Sequence, residues 1–428
     1  MKVHFNRLAV IYLAALLLLV SFYPIQAQSN ALLLIPDRVY DGREMHNNWV
    51  VLVEENLITY AGPDKSFPQE VTRKVFPGAT LMPGMIEGHS HILLHPYNET
   101  SWADQVLKES AAERAARAVN HLKASLMAGF TTLRDLGSEG AGYTDVGLRT
   151  AIEKGVIPGP RLLVAGPAIV ATGSYGPKGF HDGVQVPLGA EQADGYDDLI
   201  KTVRRQIGNG ADFIKVYADY RWGPEGTAMP TFSIEELQVI VSTAKSSGRV
   251  VIAHAATAEG MRRATLAGVS TIEHGDGGTT EVFNLMKERG VALCPTIAAS
   301  EAIESYRGWN KGSKGTTPAR VVKKRQSIAM ARAARVAIVA GGDVGVFAHG
   351  ENARELELME EYGFPKDSIL RSVTSGNAQL LNLEHIGSIK ENYLADLIVV
   401  KGNPLEDLSS LRQVIFVMKD GIIYKDVN

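Results

Sequence analysis

Eight short apolar segments, separated by longer stretches with helical periodicity, constrain the fold of this chain more than any other feature. Buried strands that alternate with helices pair in parallel, and eight such strands close a barrel. An open doubly wound sheet is the alternative, but no G-x-G-x-x-G motif follows the first segment. The segments are LMPGMIEGHSHI (81–92), FTTLRDLG (130–137), RLLVAGPAIV (161–170), DFIKVYAD (212–219), VVIAHA (250–255), STIEHG (270–275), VALCPTI (291–297) and VAIVAGGDVG (336–345).

The two ends of the chain follow a different pattern. Residues 31–80 and 386–428 contain short strand-like segments with turn signals such as YDG, EEN and KGNP, and VIFVMKDGIIYKD predicts a hairpin that turns at Asp420-Gly421. With 428 residues, 45% of them hydrophobic, the chain can bury a large core. We expect a (β/α)8 TIM barrel (84–380) beside a small β-sandwich domain built from both ends (28–83 and 381–428).

The first 27 residues read as a secretory signal peptide. Lys2 and Arg7 precede an apolar run of 13 residues, Leu8 to Val20, and the small residue Ala27 follows. The run is short for a membrane span, which needs about 20 residues. We expect cleavage after Ala27 and a periplasmic or secreted protein without stable membrane insertion. An uncleaved anchor is the alternative.

Charge and cysteine content exclude several classes of protein. The formal net charge is −3 and no long basic stripe appears, so nucleic acid is not an expected partner. The basic stretch 307–325 is interpreted as a solvated loop that enters a helix. Cys294 is the only cysteine, which excludes an intrachain disulfide, and its apolar surroundings predict a buried, inert thiol.

Polar side chains that suit a metal occur at the ends of five of the eight segments. His89 and His91 are one residue apart, so both point to the same side of a strand. In a barrel of this kind, the carboxyl ends of the strands carry the chemistry. Each residue alone is more often structural, but imidazole and carboxylate together are the ligands of a metal such as zinc. They are His89 and His91 (first segment), Lys215 (fourth), His254 (fifth), His274 (sixth) and Asp343 (eighth).

This set of motifs, GHSH, FIKVY, IAH, IEHG and GGD, resembles the amidohydrolase superfamily, and most of all its imidazolonepropionase-related and prolidase-type members. The C-terminal LADLIVVKGNPLED…VMKDG is similar to the end of such proteins. The resemblance implies one divalent metal, zinc by expectation, on His89, His91 and Asp343, and a second on His254 and His274. Lys215, carboxylated by carbon dioxide, would bridge the two. A plain Lys215 paired with an acid is the alternative.

The resemblance implies hydrolysis of an amide or peptide bond in a small molecule such as a dipeptide or an N-acyl amino acid. A hydroxide bridging the metals would attack the carbonyl, and Asp343 would carry the proton to the leaving nitrogen. A lactonase or phosphotriesterase, a mononuclear cyclic-amide hydrolase or deaminase, and a non-catalytic binding protein remain alternatives. Lys215 argues against the mononuclear class, and the complete ligand set argues against a binding protein. A homo-oligomer stays open.

The residues that contact the substrate are less constrained by the sequence. Tyr217 and Arg221 follow Lys215 directly, and an arginine there suits a substrate carboxylate. Packing of the aromatic residues with a surface ion pair is the equal alternative. His181 and His349 lie in loops after the third and eighth segments. Two positions depart from the family pattern: Glu87 replaces an Asp, and Tyr175 replaces a His.

Overall fold

The computed structural model describes residues 31–312 and 315–427. The predicted signal segment, residues 1–27, lies outside them. Within the described ranges, no helix has both the length and the apolar character needed to cross a bilayer.

Strands from both ends of the chain form one eight-stranded sheet. Its hydrogen-bonded order is β19-β18-β17-β5-β1-β3-β4, with β2 paired to β1. Phe76 contacts Phe416 at 5.3 Å between ring centroids, and Lys74 forms an ion pair with Asp426, so the sheet curls upon itself. The strands are β1 (Leu32–Tyr40), β2 (Met45–Asn47), β3 (Trp49–Glu54), β4 (Leu57–Pro63) and β5 (Thr72–Pro83), then β17 (Leu397–Lys401), β18 (Val414–Lys419) and β19 (Ile422–Asp426).

The predicted hairpin at Asp420-Gly421 is confirmed. β18 and β19 pair antiparallel, and the two turn residues have φ angles of 50° and 76°. Two positive φ angles in succession define the type I′ turn that Asp-Gly favours. The prediction of a two-layered sandwich and the predicted domain boundaries, 28–83, 84–380 and 381–428, stay predictions.

The central part of the chain pairs its strands in parallel. Two parallel sheets have the orders β6-β7-β8 and β10-β9-β11-β14-β15-β16, while β12 and β13 form a separate hairpin. These strands are β6 (Met85–Ser90), β7 (Phe130–Asp135), β8 (Arg161–Val164), β9 (Ile169–Val170), β10 (Glu191–Gln192), β11 (Ile214–Tyr217), β12 (Asp219–Arg221), β13 (Ala228–Pro230), β14 (Val251–Ala255), β15 (Thr271–His274) and β16 (Ala292–Cys294).

Residues 336–345 join the two parallel sheets. Ile338 forms a parallel bridge with Leu293 of β16, and Val344 forms one with Ser90 of β6. The two bridges join β16 to the eighth segment and the eighth segment to β6, while β8 and β9, the two parts of the third segment, lie in different sheets. All eight predicted segments take part in this arrangement.

Two of the predicted strands are interrupted. The third segment is divided into β8 and β9 by Gly166, whose φ of 68° ends the extended backbone. The eighth makes two isolated bridges instead of a continuous ladder, and backbone hydrogen bonds also join Ala340 to Gly88 and Asp343 to His89. A Cβ added at Gly341 would lie 2.6 Å from the His89 nitrogen. The expectation of continuous strands at these two places was wrong.

Helices lie between the strands, as the alternating pattern predicts. In the sequence, Ser233 followed three residues later by Glu236 predicts a capping box, and the structure has it at the start of the fifth helix. The helices are α1 (Trp102–Lys108), α2 (Ala111–Met127), α3 (Thr144–Glu153), α4 (Gly195–Gly208), α5 (Ile234–Lys245), α6 (Ala258–Ala267), α7 (Thr280–Arg289), α8 (Ile297–Tyr306), α9 (Ala319–Ala334), α10 (Ala353–Glu361), α11 (Lys366–Arg371) and α12 (Asn377–Leu380).

Candidate metal centre

Three residues from the first and eighth segments form a compact ligand group. The Nε2 atoms of His89 and His91 each lie 3.5 Å from Oδ1 of Asp343. That oxygen is buried and has no hydrogen-bond partner among the described residues. An unpaired buried carboxylate oxygen is costly unless a cation occupies the space beside it. The donor set therefore fits a divalent metal.

Hydrogen bonds on the far side of both rings direct these two histidines. His89 Nδ1 donates to Glu273 Oε2 at 2.8 Å, and His91 Nδ1 donates to the Gly137 carbonyl at 3.1 Å. The Nε2 lone pair of each ring is thereby left for a metal, which is how metal-binding histidines are usually oriented.

Glu273 belongs to a buried charged pair that sequence reasoning missed. Its Oε1 accepts hydrogen bonds from Arg134 at 3.1 Å and from the Thr271 hydroxyl. Both Arg134 and Glu273 lie within apolar strand segments and are fully buried. The sequence feature that could have revealed this pair is the presence of a cation, Arg134, and an anion, Glu273, inside two segments predicted to be buried.

Glu87, the residue that departs from the family pattern, connects the first and eighth segments. Its carboxylate accepts hydrogen bonds from the backbone nitrogens of Gly342 (2.8 Å) and His89 (3.1 Å) and from the Asn352 side chain (2.9 Å). Burial raises its pKa to about 7. Glu87 thus holds the backbone beside Asp343 against the backbone of His89.

The second histidine pair lies next to the first. The ring centroids of His254 and His274 are 4.4 Å apart, and those of His274 and His89 are 5.2 Å apart. His274 Nδ1 pairs with the Thr296 hydroxyl at 2.8 Å, which leaves Nε2. Burial lowers the pKa of His254 to about 3 and that of His274 well below its ordinary value. Both rings are therefore neutral and able to bind a metal.

Lys215 projects from β11 into the same region and is buried, with 1% of its surface exposed. Among residues 31–312 and 315–427, its ammonium makes no hydrogen bond and no ion pair. Burial lowers the pKa of this amine, because the charged form is poorly solvated there. Glu273 and Asp343 act electrostatically on this amine and raise its pKa, so a plain Lys215 beside an acid stays an alternative to the carbamate.

A buried aromatic cluster flanks the histidines on one side. Tyr217 stacks on His254 at 4.6 Å, and Tyr175 lies 4.7 Å from Tyr217. Glu139, which the sequence did not single out, accepts hydrogen bonds from the Tyr175 hydroxyl and the Trp102 indole, each at 2.8 Å. The rings form an apolar surface. The tyrosine hydroxyls and the Trp102 indole N–H at their edges are directed towards the Glu139 carboxylate.

The other three predicted substrate residues differ in what they contact. Arg221, on the β12–β13 hairpin, is exposed and lies over the ring of Tyr220 at 5.4 Å. His181 is exposed on a loop, and its only ring contacts among the described residues are with Gly183 and Asp182. His349 stacks on His121 of α2 at 4.3 Å. The structure thus brings Tyr175, Tyr217 and Arg221 together and leaves His181 apart.

The chain matches known proteins along most of its length. Residues 80–424 match the model of the Amidohydrolase family. Ochratoxinase from Aspergillus niger is 29% identical, over 92% of this chain and 85% of that protein. The crystal structure of that enzyme has a TM-score of 0.78 and covers 93% of this chain and 96% of its own.

Two solved peptidase structures are similar as well. A Xaa-Pro dipeptidase with bound methionine in its active site is 31% identical, with a TM-score of 0.82, and covers 92% of this chain and all of its own. A prolidase complexed with N-methylphosphonate-L-proline is 27% identical, with a TM-score of 0.80 and coverage of 92% and 100%. Together with the histidine, lysine and aspartate cluster, these matches show that the chain belongs to the amidohydrolase family, in its prolidase-like branch, and is a hydrolase acting on carbon–nitrogen bonds.

Proposed function

We propose that this protein is a binuclear metal-dependent amidohydrolase that cleaves the amide bond of a dipeptide or an N-acyl amino acid. The observation that carries the proposal is a buried Asp343 oxygen without a hydrogen-bond partner, together with a buried Lys215 and four imidazoles that lie close to one another. A single metal on His89, His91 and Asp343 would leave Lys215 buried without a partner.

The residues divide between two metal ions, for which zinc suits the ligand set. His89, His91 and Asp343 would hold one ion, and His254 and His274 would hold the other. The neutral amine of Lys215 would add to carbon dioxide and release a proton, and the carbamate anion would supply oxygen ligands to the metals. A lysine whose pKa is lowered by burial has more of the neutral amine that reacts with carbon dioxide.

Asp343 is the proton carrier of the proposed reaction. When bound, the two metals lower the pKa of water and polarise the substrate carbonyl. Burial raises the pKa of Asp343 to about 6, so its carboxylate can accept and release a proton near neutral pH. Asp343 takes the proton of the attacking water and delivers it to the leaving nitrogen.

The surroundings of the centre favour a substrate with an apolar amine-side residue and a free carboxylate. Tyr175, Tyr217 and Tyr220 line one side, and the Arg221 guanidinium lies beside the Tyr220 ring. An apolar ring packs on such a wall, and a carboxylate binds such a cation. The relatives named as a Xaa-Pro dipeptidase and an ochratoxinase support an amide substrate.

A substrate panel on zinc-loaded protein tests this function. We expect turnover of dipeptides or N-acyl amino acids and little turnover of lactones and phosphotriesters of similar size. Turnover of the esters alone would replace the proposal with a lactonase or phosphotriesterase. Hydrolysis of a cyclic amide with one metal per chain would point to a mononuclear enzyme, and substrate binding without turnover to a binding protein.

We also infer the fold of the enzyme and its cellular compartment. The eight segments, which lie in two parallel sheets joined through residues 336–345, support a (β/α)8 barrel, and the sheet built from both ends supports a small β-sandwich beside it. The signal-like N-terminus supports export to the periplasm or the medium.

A further inference from the structure

Helix α9 holds the turn that follows β15 through a buried lysine. Lys324 has no exposed surface, although it lies in a basic stretch whose other cations are largely exposed. Its Nζ donates to the carbonyls of His274 at 2.8 Å and Pro295 at 2.6 Å, and it forms an ion pair with Asp276. A buried ammonium is retained only where such partners compensate its lost hydration.

Two of the three protons of the Lys324 ammonium are donated to these carbonyls, and the Asp276 carboxylate lies beside the ammonium as its ion-pair partner. Lys324 is fully buried among these groups, so it acts through the residues that it holds. The first acceptor belongs to His274 itself. The second, Pro295, directly precedes Thr296, whose hydroxyl pairs with His274 Nδ1.

His274 needs such support because its backbone is strained. Its φ of 75° lies in the left-handed region, which residues other than glycine adopt only where surrounding contacts hold them. Thr296 has a φ of 48° and lies in the same region. Lys324 connects the two strained segments, and so fixes both the backbone of His274 and the hydroxyl that orients its ring.

A second contact from the same helix supports this turn. Ser327, three residues after Lys324 and therefore on the same face of α9, donates to the Gly275 carbonyl at 2.5 Å. The helix thus binds two successive carbonyls, those of His274 and Gly275.

The other metal ligands rest on different supports. His89 is held by Glu273, His91 by the Gly137 carbonyl, and the backbone beside Asp343 by Glu87. Within the described ranges, none of these groups forms a hydrogen bond or an ion pair with Lys324 or Ser327. The two halves of the centre should therefore respond differently to changes in α9.

We propose that Lys324 is a positioning residue for the second metal: it orients His274 and has no contact with the substrate. The proposal rests on the binuclear function proposed above. Replacement of a residue that orients a metal ligand typically weakens metal binding by about 10–100-fold. That loss should fall on one of the two metals.

The test is a zinc titration of metal-free Lys324→Met, with metal content measured after dialysis. We expect the first equivalent to bind within about threefold of wild-type affinity and the second at least tenfold more weakly. Lys323→Met is the matched control, because Lys323 is the exposed neighbour on the same helix. It should bind both equivalents as the wild type does.

Ser327→Ala keeps the test decisive if Lys324→Met fails to fold. It removes one hydrogen bond and should weaken the second equivalent in the same direction by a smaller factor. Equal weakening of both equivalents, or no change in either, would overturn the positioning role. A wild-type protein that binds only one zinc would instead contradict the binuclear function.

Discussion

Strain at the metal centre is concentrated in two ligands, His274 and Asp343, with φ angles of 75° and 64°. Residues other than glycine rarely adopt this conformation, and where it persists it is held by surrounding contacts. The Asp343 nitrogen donates to the His89 carbonyl at 2.9 Å, and Lys324 holds His274. These contacts hold the strained backbone of both ligands in place.

Lys215 provides the first prediction at this scale. Lys215→Ala should bind less metal and turn over poorly, because no anion then bridges the two ions. Metal reconstitution without carbon dioxide should slow recovery of wild-type activity, and bicarbonate should restore it. Activity assays during reconstitution measure both effects.

Two further results distinguish loss of the carbamate from a general loss of structure as the cause of low activity in Lys215→Ala. Acetate or propionate should partly restore activity to Lys215→Ala by occupying the bridge. Lys201→Ala, at an exposed lysine of α4, should behave as the wild type does. Wild-type activity that is indifferent to carbon dioxide and bicarbonate throughout reconstitution would argue against the carbamate.

Arg221 provides the second prediction. Arg221→Met should raise KM tenfold to a hundredfold for substrates with a free carboxylate, since a charged hydrogen-bonded pair contributes roughly 1.5–3 kcal/mol. Amidated analogues should hardly change, because they carry no charge to lose. Steady-state kinetics on matched acid and amide substrates measure the difference.

The control for Arg221 is Arg204→Met, at an exposed arginine of α4. It should leave both KM values unchanged. An equal rise of KM for acids and amides in Arg221→Met would show that Arg221 supports the aromatic wall and does not bind the carboxylate.

At the scale of elements, helix α8 is capped from outside its own sequence. Its first residue follows Thr296, whose side chain makes no capping bond. Glu355 of α10 instead accepts hydrogen bonds from the nitrogens of Ile297 (3.0 Å) and Ala298 (2.6 Å). Burial raises the pKa of Glu355 to about 8, so the folded protein keeps this group protonated at neutral pH.

This cap leads to a prediction about stability. Glu355→Ala leaves two buried backbone donors unpaired, so the free energy of unfolding should fall by at least about 2 kcal/mol. Urea unfolding of the metal-free protein measures it. Glu360→Ala, at a partly exposed surface pair on the same helix, should change stability by less than about 1 kcal/mol.

The loss of unfolding free energy caused by Glu355→Ala should also depend on pH. The pKa of Glu355 is higher in the folded than in the unfolded state, so its contribution is full below about pH 4.5 and decreases towards about pH 8. The difference between wild type and Glu355→Ala should therefore be smaller at pH 8 than at pH 5. A difference that grows with pH would contradict the raised pKa.

The elements that could be predicted from the sequence are those that depend on neighbouring residues. The hairpin at Asp420-Gly421 and the capping box at Ser233 are each set within four residues. The cap of α8 depends on Glu355, 58 residues away from Ile297 along the chain. No local pattern shows such a contact, and the interruption of the eighth strand was missed for the same reason.

At the scale of the whole molecule, the order of parallel strands accounts for the site. Once eight segments alternate with helices, the carboxyl ends meet at one edge, and the predicted ligands came from that argument. Their supports, Glu273 with Arg134 and Lys324 with His274, join segments that are distant in sequence. These pairings depend on packing and could not be predicted from the sequence.

The sheet built from both ends is tied to the parallel strands by charge. Arg161 at the start of β8 donates to Asp420 at 2.5 Å and to Asp396 at 3.4 Å, and Asp396 also accepts from the Asp420 nitrogen. Residues next to the C-terminal strands thus bind Arg161 at the start of the third segment.

The export of the chain can be tested on the whole protein. Expressed in a bacterium with a secretion pathway, it should be recovered outside the cytoplasm with Gln28 as its first residue, because the apolar run is too short to anchor it. Mass spectrometry of the purified protein determines the N-terminus. Leu17→Arg, which places a charge in the run, should keep the chain in the cytoplasm, and an uncleaved membrane-bound wild type would support the anchor.

Zinc titration of the metal-free wild-type protein in bicarbonate buffer, with amide hydrolysis followed at each addition, tests the binuclear assignment most directly. The arrangement of Asp343, Lys215 and the four histidines predicts that activity rises until two equivalents of zinc are bound per chain. A plateau at one equivalent, or hydrolysis that does not depend on zinc, would contradict it.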